Sequence, residues 1–124
     1  MRTYPIKSTE GTMYAFEVES VYISVNGIAS ILSTVDGISD MLQRKAFSSE
    51  ENLVSFQFQG EDCVVWEPYG DSSRYWIGPK EPEPYTDFSD VEKAFERYQP
   101  FIIRKLVGDI LTLKFLPHSM FQLL

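Results

Sequence analysis

The segment "VVWEPYGDSSRYWIGP", residues 64 to 79, holds the densest group of side chains that could bind a ligand or a partner. It contains both tryptophans of the chain, two tyrosines, two carboxylates and one arginine. Tryptophan, tyrosine and arginine are the residue types enriched at the energetic centres of interfaces. The candidate binding residues are Trp66, Glu67, Tyr69, Asp71, Arg74, Tyr75 and Trp76.

The pairing predicted for this segment divides its side chains between the two faces of a hairpin. A turn centred on Asp71 and Ser72 would join strands 62–68 and 73–78. Side chains alternate between the faces along each strand, so polar and apolar members separate. The first face would hold Glu67, Tyr69, Arg74 and Trp76, and the second would hold Val64, Trp66, Tyr75 and Ile77.

Two interpretations of the segment compete. In the first, Arg74 bridges Glu67 and Asp71 and braces the turn, and each such cross-strand pair contributes roughly 0.2–1 kcal/mol. In the second, the same three residues form the polar rim of a binding site with aromatic walls. We favour the brace, because charged and aromatic cross-strand pairs commonly stabilise hairpins without any ligand.

Several kinds of chemistry lack their residues in this sequence. The chain has a single cysteine, Cys63, and a single histidine, His118, and a zinc site usually needs about four nitrogen or sulfur ligands. Cys63 is expected in the sheet core, where a thiol behaves as a small inert apolar group. Phosphate-binding loops and nucleophile elbows are also missing. The sequence therefore predicts no catalytic residue, no metal and no cofactor.

The composition predicts one soluble globular domain, residues 1–124, with 44% hydrophobic and 15% aromatic residues. The net charge of −7 disfavours nucleic acid and anionic membranes and favours a basic protein partner. A lone cysteine excludes an intramolecular disulfide, and the amino-terminal residues lack the apolar stretch of a signal peptide. We expect a cytoplasmic location.

The apolar periodicity predicts an α+β fold with a mostly antiparallel sheet and helices packed on one face. The strongest strand signal is the strict alternation in "LVSFQFQ", and the strongest helix signal is the spacing of Ser89 and Glu92, which fits a capping box. Strands are predicted at about 12–19, 38–46, 53–59, 62–68 and 73–78, with a further one at 109–116, and helices at about 21–35 and 90–107.

Two parts of this assignment stay open. Residues 20–36 show a helical apolar stripe with Ser20 or Ser24 as N-cap, but Asn26-Gly27 and Asp36-Gly37 are also strong hairpin signals. Pro100 either ends the second helix or begins another helical segment. We favour a helix over 21–35, because the stripe persists over four turns.

These features favour a non-catalytic protein-binding module, of which an immunity- or antitoxin-like inhibitor of a basic protein is one concrete form. The alternative is a small-molecule-binding domain, or a minor enzyme, with its pocket near the 64–79 hairpin. The apolar carboxyl-terminal residues "MFQLL" also leave a homodimer open.

Overall fold

A computed structural model describes residues 1–45, 51–70, 73–81, 86–99 and 102–111. Six strands form one sheet in the order β1-β2-β6-β5-β4-β3, and every neighbouring pair is antiparallel. The α+β prediction is confirmed. The elements are β1 (Tyr4–Lys7), β2 (Met13–Glu19), α1 (Val25–Leu32), β3 (Ile38–Gln43), β4 (Val54–Phe58), β5 (Glu61–Trp66), β6 (Arg74–Pro79), α2 (Ser89–Glu96) and α3 (Ile102–Leu111).

The core lies between one face of the sheet and the helices α1 and α2. Two edge-to-face ring contacts mark this layer: Phe16 of β2 lies 5.2 Å from Phe95 of α2, and Phe58 of β4 lies 5.1 Å from Phe88, measured between ring centroids. All four rings are almost fully buried. The helices α1 and α2 therefore pack on one face of the sheet, and the opposite face is called the open face below.

The segment that the sequence left ambiguous folds as a helix over Val25–Leu32. The Ser24 side chain accepts a hydrogen bond from the Gly27 backbone N–H at 3.1 Å, which satisfies a donor that the first turn leaves open. A Cβ on Gly27 would lie 2.8 Å from the Ile23 side chain. Glycine is therefore suited to this helical position by close packing, which outweighs its poor helix propensity.

The structure corrects the carboxyl-terminal prediction in two ways. The single helix predicted at 90–107 is two helices, α2 and α3, because the residue before Pro100 is disfavoured from helical backbone. Residues 109–111 of the strand predicted at 109–116 belong to α3. A Cβ on Gly108 would lie 2.5 Å from the Tyr22 ring, so this glycine is a close-packing position inside α3 and not its end. Residues 112–116, His118 and "MFQLL" lie outside the described residues.

The edge strand β1 was not predicted, since the first predicted strand begins at about residue 12. Pro5 is tolerated there, because an edge strand need not use every backbone N–H in the ladder.

The thiol of Cys63 is 1% exposed and packs in the core, where burial raises its pKa to about 12. A thiol in the unfolded chain titrates near 8.5. Because the folded-state pKa is the higher one, the stability linked to this group is fully present below about pH 8.5 and is lost as the pH rises towards 12.

We expect Cys63 of the native protein to resist a thiol-reactive reagent at about pH 8 and to react fully once the chain is unfolded in urea. Absorbance of the released chromophore measures the labelled fraction. Rapid labelling of the native protein would contradict the buried, protonated thiol and would reopen Cys63 as a nucleophile.

Candidate functional site

The pairing of β5 with β6 differs by one residue from the predicted register. Trp66 lies opposite Trp76, whereas the sequence predicted Ile77 opposite Trp66. The strands are shorter at this end than the predicted 62–68 and 73–78, because β5 ends at Trp66 and β6 begins at Arg74. The predicted turn residues Asp71 and Ser72 lie outside the described residues. Pro68 has no N–H with which to continue the ladder, which accounts for the longer connection.

A shift of one residue moves side chains to the opposite face. Both tryptophans consequently lie on the open face, and the predicted separation of Trp66 from Trp76 is wrong. Their ring centroids are 6.4 Å apart and their planes meet at 66°, which is an edge-to-face arrangement. Tyr75 instead faces the core and is 9% exposed, so it is withdrawn from the candidate site.

Arg74 makes an ion pair with Glu17 of β2 at 3.1 Å. Glu17 is 7% exposed and also accepts hydrogen bonds from the Tyr69 hydroxyl at 3.3 Å to each carboxylate oxygen. Tyr69 lies within the β5–β6 connection, and Arg74 is the first residue of β6. Their shared contact with Glu17 ties that connection to a neighbouring strand.

An aromatic ring covers the other side of the Arg74 guanidinium. Its central carbon lies 3.7 Å from the Tyr4 ring centroid, within the range of a cation–π contact. The Tyr4 hydroxyl donates to Glu19 at 2.7 Å, and burial together with this bond raises the pKa of Tyr4 above its ordinary value. Arg74 is thus held by a carboxylate and an aromatic ring of this chain. It braces the sheet, with a partner outside the predicted hairpin.

Two hollows flank the Trp66 ring. The first has a volume of about 380 Å³, and its lining includes both indoles and the side chains of Glu51, Asn52 and Lys80. The second has a volume of about 300 Å³ and includes Trp66, Glu51, Leu53, Arg44 and Glu67. Trp66 and Glu51 belong to the linings of both hollows, so the two lie next to each other, and together they are called the tryptophan site below.

The seven candidate residues divide accordingly. Trp66, Trp76 and Glu67 line the tryptophan site, and Tyr69 and Arg74 form the brace beside it. Tyr75 lies in the core, and Asp71 lies outside the described residues.

Sequence reasoning missed the polar residues that complete this arrangement: Glu17, Glu51, Asn52 and Lys80. Glu17 had one usable signal. It lies two residues after Ala15, on the same face of β2, and a carboxylate at a buried strand position needs a partner.

The floor of the tryptophan site depends on Gly78. A Cβ there would lie 2.6 Å from the Ala15 Cβ and 2.7 Å from the end of the Trp76 indole. Trp76 can therefore lie close against the sheet over a residue without a side chain, which fixes the orientation of its ring.

We expect Gly78→Ala to lower the free energy of unfolding by about 2 kcal/mol, since Ala15 is fully buried and the backbone has to shift. The Trp76 indole N–H signal should move in the ¹⁵N–¹H spectrum. Gly70→Ala is the matched control, because a Cβ there would meet nothing within 4 Å. Equal stability of the two variants would contradict the packed floor.

Outside the tryptophan site, the described residues form a larger hollow but no cluster that could hold a metal ion. Within these ranges, no three His, Cys, Asp or Glu side chains are grouped to hold a metal ion. A larger hollow, with a volume of about 550 Å³, lies between α1 and α2. Its lining includes the apolar residues Ile31 and Ala94, Tyr98 and one charged residue, Arg97.

No helix in the described part of the chain has the length and apolar character needed to cross a bilayer.

No protein-family model, curated protein or solved structure matches this chain. Its function has to be inferred from the chemistry of the site.

Proposed function

We propose that the chain is a non-catalytic binding module that holds a basic protein partner on the open face of its sheet. The observation that carries the proposal is the tryptophan site. Two partly exposed indoles lie edge to face on that side of the sheet, although neither α1 nor α2 packs there. Tryptophans in such positions are the side chains that most often dominate binding energy.

Charge favours a basic partner. The chain carries a net charge of −7. The tryptophan site itself is balanced, since its lining holds the carboxylates Glu51 and Glu67 and the cations Arg44 and Lys80. The attraction therefore comes from the acidic chain as a whole. A negative surface attracts a basic protein over a distance of about one Debye length, roughly 10 Å at 0.1 M salt, and speeds association. The same charge disfavours the phosphate backbone of nucleic acids.

Binding also suits the residues better than catalysis does. Arg74, Glu17 and Tyr69 are engaged with one another, and Cys63 is a buried thiol with a raised pKa. An inhibitor of the immunity or antitoxin type is one concrete form of the proposal. A cytoplasmic location belongs to the proposal as well, since the single cysteine leaves no intramolecular disulfide.

Capture on the immobilised protein tests the proposal. An extract of the source organism would be applied at about 50 mM and about 500 mM salt, and bound proteins identified by mass spectrometry. We expect a protein of high isoelectric point that is retained at low salt and released at high salt.

The variants locate the contact. Trp66→Ala should lose the captured protein, whereas Ile110→Ala, which removes an exposed apolar side chain of α3, should retain it. The proposal would be contradicted if the Trp66→Ala variant retained as much of the captured protein as the unmodified chain does. It would also be contradicted if the captured protein were acidic.

A further inference from the structure

We infer that the tryptophan site takes an arginine side chain of the partner, with its guanidinium against the indoles and its charge paired with Glu51. This inference rests on the proposed function and names the group that the site recognises. The first hollow, at about 380 Å³, falls within the roughly 300–1,000 Å³ of small-molecule pockets. It is therefore large enough for one long side chain.

The walls of the hollow match the two parts of an arginine. Trp66, Trp76 and Val64 supply apolar surface for the methylene stem, and the indole faces attract a cation. Glu51 supplies the carboxylate, and it is shared with the second hollow, whose lining adds Glu67 and the basic Arg44. A planar guanidinium can stack on a ring and bind a carboxylate at once.

The chain already binds one of its own arginines in this way. Arg74 lies 3.7 Å from the Tyr4 ring centroid and 3.1 Å from a Glu17 oxygen, on the same face of the sheet. On this face of the sheet, an aromatic ring and a carboxylate together contact a guanidinium of the same chain. The tryptophan site repeats that combination with Trp66 and Glu51.

Lys80 favours arginine over lysine in this hollow. Lys80 belongs to the lining, and its positive charge offsets that of Glu51 and reduces the general attraction for cations. Stacking on the indoles then contributes a larger share of the binding, and the weakly hydrated guanidinium stacks better than a compact, strongly hydrated ammonium.

Glycine-flanked peptides carrying arginine, lysine or citrulline test the inference. Citrulline keeps the shape of arginine and removes its charge. The two indole N–H signals of the full chain would be followed by ¹⁵N–¹H correlation during each titration. We expect the arginine peptide to shift both signals and to bind about tenfold more tightly than the citrulline peptide, with lysine between them.

Matched variants assign the contact. Glu51→Gln should reduce the preference for arginine over citrulline about tenfold, whereas Glu96→Gln on α2 should leave it unchanged. Equal binding of the arginine and citrulline peptides, or no shift of either indole signal, would overturn the inference.

The two proposals can fail separately. If the peptides do not bind but a basic protein is still captured in a Trp66-dependent manner, the arginine anchor is wrong and the binding function stands. If capture is also indifferent to Trp66→Ala, both are wrong.

Discussion

Replacing Arg74 with alanine is expected to lower the free energy of unfolding by about 3 kcal/mol. The side chain of Glu17 is 9% exposed, so the variant would leave a largely buried carboxylate with the Tyr69 hydroxyl as its remaining described partner. The side chain of Arg74 is 32% exposed, which places the expected loss at the lower end of the range for a broken buried ion pair. Urea denaturation measures the change.

Two control variants test whether the loss of stability in Arg74→Ala comes from the broken ion pair with Glu17. Arg2→Ala removes a guanidinium that lies 5.0 Å from the same Tyr4 ring, and should change stability by less than about 0.5 kcal/mol because the residue is exposed. The double variant Glu17→Ala with Arg74→Ala should cost little more than either single change. A loss below about 0.5 kcal/mol for Arg74→Ala would contradict the brace.

Phe95→Ala is expected to cost about 4 kcal/mol, because its fully buried ring contacts Phe16 and fills the layer between α2 and the sheet. Thermal or urea unfolding measures the loss. Leu42→Ala is the matched control, since this side chain is 72% exposed and its truncation should change stability by no more than about 0.5 kcal/mol. A loss below about 1 kcal/mol for Phe95→Ala would mean that α2 does not cover this face.

The sequence predicted those elements whose signals are local. The alternation of Val54, Phe56 and Phe58 predicts β4, because every second side chain of that strand is buried. The helical stripe over residues 21–35 predicts α1, although Ser24 shortens it by fixing the amino-terminal end. Local patterns were sufficient here because core burial and secondary structure agree.

The register of β5 with β6 was harder to predict. Local turn chemistry suggested Asp71-Ser72, whereas the observed pairing of Trp66 with Trp76 follows from the end of β5 before Pro68. An error of one residue in the pairing register assigns the side chains of one strand to the wrong face of the sheet. The predicted hairpin therefore placed Trp66 and Trp76 on opposite faces, whereas the fold places them on the same face.

The polar part of the site could not be read from the 64–79 segment. Glu17 binds Arg74 across 57 positions of sequence. Glu51 lines the same hollows as Trp66 because β4 and β5 pair as a hairpin. Such contacts depend on the strand order of the whole sheet, which periodicity alone does not determine.

Site-specific photo-crosslinking most directly tests whether the open face is the binding face. A benzophenone amino acid would replace Ser55, which lies opposite Val64 beside the tryptophan site, or Ser30, which lines the hollow between α1 and α2. We predict crosslinks to a basic protein from position 55 that disappear with Trp66→Ala, and none from position 30. Crosslinks from position 30 alone, or equally from both, would contradict the account.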